Sequence, residues 1–150
     1  MATDYWTTYR WIDLLKDKTD KTVMNTIESL LSIVRQTIPN VRILYITIRA
    51  DKAFEHMAKR TEMLGAKVHW EFCAPYYHEQ NARAEISNQI ITNRMWTMMC
   101  GCTLPTELWG EAARYAVEVT NRLPTKANQD MQSPYEMVFN KKVYKQNFDA

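Results

Sequence analysis

The chain has 150 residues, 46% hydrophobic and 24% charged, with a formal net charge of +2. That length suffices for one domain with its own core, and the balance excludes an intrinsically disordered chain. The slight positive tilt permits nucleic-acid contact but is far from the strongly basic footprint of a dedicated nucleic-acid binder.

No run has the length of an apolar membrane span, and Met1-Ala2-Thr3-Asp4 lacks the basic and apolar regions of a secretory leader. The expectation is an intracellular protein, nuclear or cytoplasmic, neither secreted nor membrane-bound. Cys73, Cys100 and Cys102 are odd in number and lack paired Cys-x-x-Cys spacing. Cys100 and Cys102 are too close for ordinary disulfide geometry and have no His partners for zinc. With His56, His69 and His78 scattered, all six read as structural or incidental.

Residues 8–15, Thr8-Tyr9-Arg10-Trp11-Ile12-Asp13-Leu14-Leu15, are rich in aromatic and branched side chains and read as a strand. Thr19 and Asp20 offer N-caps to a helix with Val23, Ile27, Leu30, Leu31, Val34 and Ile38 at helical spacing, stopped by Pro39. Residues 41–48 are nearly continuously apolar, the pattern of a strand buried on both faces. Asp51 follows where the chain leaves that strand.

Phe54, Met57, Ala58, Thr61 and Leu64 space a second helix, with Gly65 as its cap. Val68, Trp70 and Phe72 then alternate with Lys67, His69 and Glu71, giving a half-buried strand with His69 on its polar side. A long helix follows over about residues 79–99, with Ile86, Ile90, Met95, Met98 and Met99 on its apolar side. Asn81, Glu85, Asn88 and Thr92 form one polar stripe. Pro105 suits a helix N1 position. Leu108, Trp109, Ala112, Ala116, Val119 and Leu123 make a further amphipathic helix ending before Pro124, with Trp109 expected in the core. In the tail, Tyr135, Met137, Val138 and Phe139 form an apolar patch expected either to pack on the body or to have linked it to a following domain.

An acid at a strand end and an acid in the first turns of a helix, here Asp51 and Glu85, can converge to hold a divalent metal. Such sites suit phosphoryl transfer, where two metals clamp the attacking and leaving oxygens. Hard Mg²⁺ accepts one or two carboxylates together with phosphate oxygens and water. With seventeen acidic residues in the chain, the pair alone is a weak signal, because most charged side chains are simply solvated.

The surrounding words are more specific. A strand, Asp51-x-x-x-Glu55, a helix, an alternating strand, the Ala74-Pro75-Tyr76-Tyr77 loop and Gln80-Asn81-x-x-Ala84-Glu85 opening a helix follow in order. This order resembles the catalytic core of retroviral-type integrases, in the copia-type retrotransposon branch. Leu108-Trp109-Gly110-Glu111-Ala112, Asn121-Arg122-Leu123-Pro124-Thr125 and Ser133-Pro134-Tyr135-Glu136 are similar to that branch's downstream signature. Together they cover nearly the whole chain.

The resemblance implies an α/β, RNase H-like mixed sheet flanked by helices. Residues 1–125 would be a partial catalytic core and residues 126–150 its C-terminal extension. In the family an Asp, Asp, Glu triad binds two Mg²⁺ or Mn²⁺ ions, and a water or 3′-hydroxyl attacks a DNA phosphodiester in line. By position, Asp51 resembles the second Asp and Glu85 the Glu, as catalytic and metal-binding residues. Gln80, Asn81, Arg83, Asn88 and Gln89 would contact nucleic acid. The family's preceding zinc module has no counterpart here.

Four departures accompany the resemblance. The chain starts at the turn Asp4-Tyr5-Trp6-Thr7-Thr8, so the family's first strand and its Asp have no counterpart. The family's Asp-Asn-Gly-Gly-Glu-Phe stands as Asp51-Lys52-Ala53-Phe54-Glu55-His56, and its Gln-Asn-Gly as Gln80-Asn81-Ala82. Where basic residues would grip phosphates stand Ile86, Ser87 and Gln89, which lowers the expected DNA affinity and leaves it sensitive to salt. A sheet without its first strand exposes an edge that invites pairing with another copy, hence an expected homo-oligomer. Three readings follow: a decayed or incomplete integrase core, a non-catalytic RNase H-like module binding nucleic acid or protein, and a nuclease recruiting Glu55 or Asp13 as its third acid.

Overall fold

In the computed structural model the described residues are 1–37, 46–58, 68–72 and 82–143. They form β1 (Ala2–Thr3), β2 (Arg10–Trp11), α1 (Asp20–Thr37), β3 (Ile46–Ala50), β4 (Val68–Phe72), α2 (Ala82–Gly101), α3 (Trp109–Arg122) and α4 (Pro134–Phe139). The architecture is mixed α/β, with helices predominating and the described strands paired in two small sheets. The chain divides into two compact units, residues 1–13 with 87–150, and residues 14–86.

In the unit of residues 14–86, Thr19 caps α1 as expected. Its Oγ1 accepts the Thr22 N–H at 3.4 Å, and Asp17 Oδ1 accepts both the backbone N–H and the hydroxyl of Thr19. Leu31 is buried; Val23, Ile27, Leu30 and Val34 are half-buried, and Met24 joins Leu31 inside. Ile38 lies outside the described residues. β3 and β4 pair in parallel from Ile46↔Val68 to Ala50↔Phe72. A parallel pair needs a crossover rather than a tight turn. It starts with a 3₁₀ turn, Lys52–Phe54, and a helical turn at 55–58 that buries Met57.

Burial on both faces of residues 41–48 is not what β3 shows. Residues 41–45 lie outside the described residues, and over 46–50 half-buried Ile46, Ile48 and Ala50 alternate with exposed Thr47 and Arg49. The strand also continues past Ile48 to Ala50. Arg49 sits opposite Glu71, and its Nε and Nη2 donate to Glu71 Oε2 at 3.0 and 2.6 Å. That charged pair occupies the open face. On β4, His69 is exposed as expected, and Trp70 and Phe72 stack with centroids 5.8 Å apart.

In the other unit, the strand expected over residues 8–15 shrinks to Arg10–Trp11, antiparallel to Ala2–Thr3. The connecting turn explains the loss at its start. Asp4 Oδ2 accepts from the backbone N–H and the hydroxyl of Thr7, both at 2.7 Å, and Thr8 adopts a left-handed φ of 59°. A residue in that conformation cannot belong to a strand.

The long helix is real, but its buried face is turned. Ser87, Ile91, Met95 and Met99 are buried, whereas Ile86 is 55% exposed and Ile90 and Met98 are half-buried. Hydrogen bonds onto Ser87 hold this face inward, and a hydropathy pattern cannot register them. The helix runs to Gly101 and ends in a Schellman motif. Leu104 N–H donates to Met99 O at 3.0 Å and Thr103 N–H to Cys100 O at 3.4 Å, with Thr103 left-handed at φ 52°.

Pro105 caps a 3₁₀ turn, Thr106–Leu108, which leads into α3. α3 buries Gly110, Ala112, Ala113, Ala116, Val117, Thr120 and Asn121. Contrary to expectation, Trp109 is 52% exposed, and Leu108 and Leu123 are exposed as well. α3 meets the methionines of α2 through small side chains. Met95 and Met99 pack with Ala112 and Ala113, and Ile91 with Ala116 and Val117; Ile12 touches both clusters. The tail packs on this body, through Tyr9 against Phe139 (5.8 Å) and Arg122 over the Tyr135 ring (5.5 Å). Ser133 and Glu136 close a capping box at the start of α4.

Among the described residues no helix is long and apolar enough to cross a membrane.

Candidate functional site

Asp51 sits immediately after the carboxyl end of β3, the end at which open α/β sheets form ligand crevices. Its backbone is extended (φ −67°, ψ 151°), its side chain is exposed, and it caps the following 3₁₀ turn. Oδ1 accepts the Lys52 N–H at 2.7 Å, and the Asp51 carbonyl accepts the Phe54 N–H at 3.0 Å. A carboxylate at a helix start is favoured by the local dipole, so this residue is in place with or without a ligand.

Glu85 lies in the first turn of α2 and is exposed. It belongs with Asp51 to the unit of residues 14–86. The polar stripe expected on this helix is exposed at Glu85, Asn88 and Thr92. Arg83 and Gln89 are exposed too, so three of the five residues expected to touch nucleic acid (Arg83, Asn88, Gln89) are open to solvent. Gln80 and Asn81 lie outside the described residues. Glu55, a candidate third acid, is exposed four residues after Asp51, and Asp13 is also exposed. Among the described residues no group of three or more His, Cys, Asp or Glu side chains is placed to hold a metal. Cys100 and Cys102 are free and exposed, and Cys73 lies outside the described residues.

A second polar centre, in the unit formed by residues 1–13 and 87–150, escaped the sequence reading. Asn121, 4% exposed, uses its amide as a surrogate strand. Oδ1 accepts the Arg10 N–H at 3.0 Å and Nδ2 donates to the Arg10 carbonyl at 2.8 Å. Arg10 Nε donates to Ser87 Oγ at 2.5 Å, and the Thr3 hydroxyl donates to the same oxygen at 2.9 Å. Arg94 Nη1 donates to Thr120 Oγ1 at 2.6 Å, and that hydroxyl donates to the Ala116 carbonyl. Burial, and then the neighbouring Arg94 charge, lower the Arg10 pKa from its ordinary value. The available signal was Asn121 itself, an amide at the end of an otherwise amphipathic helix and the first residue of the Asn-Arg-Leu-Pro-Thr word. A pocket of about 230 Å³ lies nearby, lined by Tyr9, Trp11, Arg114, Glu118, Arg122 and Tyr135 among others. Arg122 pairs there with Glu118 and lies over the Tyr135 ring at 5.5 Å.

Compared with known protein-family models, the sequence matches none.

Proposed function

We propose that this chain is an integrase catalytic-core-like domain of a retrotransposon polyprotein, RNase H-like in fold and decayed as a catalyst. Its ancestral chemistry is DNA integration by metal-dependent phosphoryl transfer. The observation that carries this reading is the placement of the two acids. Asp51 ends the first strand of a parallel pair, and Glu85 stands exposed in the first turn of the helix that follows the second strand. The ordered sequence words around both residues support the same reading, as does the antiparallel hairpin around Asp4.

The donor set suits a hard divalent cation. Asp51 commits Oδ1 to one backbone N–H and has Oδ2 to offer, and Glu85 projects from a solvated turn. These are the residues that would hold Mg²⁺ or Mn²⁺, which retains much of its water shell when two carboxylates bind it. When bound, such a metal supplies charge stabilisation to a phosphoryl oxygen. Two carboxylates anchor two metals poorly, and an in-line displacement stabilises both the attacking and leaving oxygens only when both are held. Arg83, Asn88 and Gln89 can approach a phosphate backbone, with Arg83 the one cation among the three. Affinity for DNA is accordingly weak, non-specific and lost at moderate salt.

A second reading, a non-catalytic RNase H-like module for nucleic acid or protein, is favoured by the capping role of Asp51, which needs no metal. Mn²⁺ titration followed by water-proton relaxation separates the two, alongside a labelled-oligonucleotide assay with Mg²⁺ or Mn²⁺. The integrase-core reading expects Mn²⁺ binding weakened in both Asp51→Asn and Glu85→Gln, with neither cleavage nor strand transfer. Mn²⁺ binding indifferent to both substitutions would remove the site. Cleavage abolished by both would show that the pair works as a catalyst, and the proposed decay would fall.

A further inference from the structure

The polar centre around Arg10 has no part in the proposed chemistry, and its electrostatics are unbalanced. Arg10 donates to Ser87 Oγ and, from Nη1, to the Thr8 carbonyl at 3.2 Å; Arg94 donates to Thr120 Oγ1. All these partners are neutral. No carboxylate pairs with either guanidinium among the described residues, whereas Arg49, Arg114 and Arg122 each have one. Both guanidinia therefore keep a charge that no acidic partner neutralises among the described residues.

Three links bring the two side chains to one place. Asn121 clasps the Arg10 backbone, and its neighbour Thr120 holds the Arg94 guanidinium. Ser87, which holds the Arg10 guanidinium, lies seven residues before Arg94 on α2, two turns along the same face. Long helical side chains lean toward the helix N-terminus, which directs Arg94 back toward Ser87. Both arginines are half-buried rather than sealed, so solvent reaches them.

Donor capacity remains. A guanidinium carries five N–H groups. Arg10 uses two and Arg94 one in the bonds described, and Ser87 Oγ, 2% exposed, accepts twice while its own proton has no described acceptor. We propose that Arg10, Arg94 and Ser87 form a binding site for a tetrahedral oxyanion, taken as free phosphate or as the head of a phosphomonoester. A phosphate dianion would balance the two charges, accept the Ser87 proton and meet the planar forks with the bidentate geometry that arginine favours. Burial and the Arg94 charge both disfavour the protonated state of Arg10, and a bound anion would reverse that bias. The site does not rest on the integrase reading and lies in the other compact unit from Asp51.

The test uses the full 150-residue chain at fixed ionic strength. Inorganic phosphate and glycerol 3-phosphate are titrated by calorimetry, and the Arg Nε–H resonances are followed by NMR. Saturable binding with a Kd of order millimolar is expected, with the Arg10 and Arg94 Nε–H signals shifting together. Saturation by both probes assigns the site to phosphomonoesters, and by inorganic phosphate alone to the free ion; either supports the site. Arg94→Gln should weaken binding about tenfold, the loss of one charge-assisted contact. Arg35→Gln, on an exposed arginine at the end of α1 in the other compact unit, should leave it unchanged. No saturation by about 50 mM of either probe, far above the affinity such paired charge-assisted contacts provide, overturns the proposal. So does equal weakening in the two variants, or a shift confined to other arginines. The wild-type NMR titration decides the matter even if Arg94→Gln fails to fold.

Discussion

Asn121→Ala removes a side chain that acts as backbone. Its amide makes two hydrogen bonds to the N–H and C=O of Arg10 while 4% exposed, so both peptide groups of a two-residue strand lose their partner at once. A typical buried hydrogen bond contributes about 0.5–1.5 kcal/mol net, and stranding the partner costs more than the bond itself contributes. The expected loss is about 2–3 kcal/mol. For a chain of this size that corresponds to roughly 5–10 °C in Tm. The same energy should appear locally, as exchange of the Arg10 amide accelerated roughly 30-fold or more by the tenfold-per-1.4-kcal/mol relation. Thermal unfolding and amide exchange are measured beside Asn93→Ala, an exposed asparagine on α2. A variant within about 0.5 kcal/mol of the parent, the scatter of ordinary surface substitutions, with Arg10 exchange unchanged, would refute the surrogate-strand account.

Thr103 closes the Schellman motif of α2 in a left-handed conformation where glycine is at ease and a β-branched residue is not. Thr103→Gly should therefore stabilise the protein by about 1 kcal/mol, seen as a higher midpoint in urea; a lower midpoint would contradict it. Glu136 accepts N–H bonds from Ser133 and Val143, which hold its carboxyl below the ordinary 4.5. Folding thus favours its ionised form, and the contribution is complete above the unfolded value and lost as pH falls below 4.5 through the folded one. The start of α4 should loosen over that acid range, and Glu136→Gln should remove this part of the pH dependence in an acid titration of amide exchange.

The sequence was most legible where one local signal decided the outcome. Thr19 before a 3.6-residue pattern located α1, and strict alternation located β4 with His69 outward. Helix existence was equally plain for α2 and α3, but their orientations were not. Ser87 and Asn121 are polar residues that face inward because Arg10 and Thr3 supply partners, and those partners are distant in the sequence. Hydropathy gives such residues no reason to face inward, so Ile86 and Trp109 were placed inside although Met95, Met99, Ala112 and Ala116 were placed correctly. The first strand was overextended because the branched character of Thr8 argues for a strand, while the Asp4 turn imposes a left-handed backbone. For the candidate acids, the strand end and the helix start were legible from their flanking patterns. Their shared role rests on the ordered words around them, and the Ala74-Pro75-Tyr76-Tyr77 loop, Gln80 and Asn81 all fall outside the described residues.

The seam between α2 and α3 joins methionine to alanine. Met95 and Met99 are buried against Ala112 and Ala113, whereas Met1 and Met131 are about half exposed. Thioethers pack adaptably but can be oxidised, and the sulfoxide is polar. A peroxide reaching this protein meets Met1 and Met131 first, where a sulfoxide is solvated and the fold is untouched. Alanine side chains offer a sulfoxide no donor, so oxygen added to Met95 or Met99 would be stranded in an apolar seam. Oxidation at the exposed thioethers is thus tolerated by the fold, whereas oxidation at Met95 or Met99 would loosen the joint between the two helices.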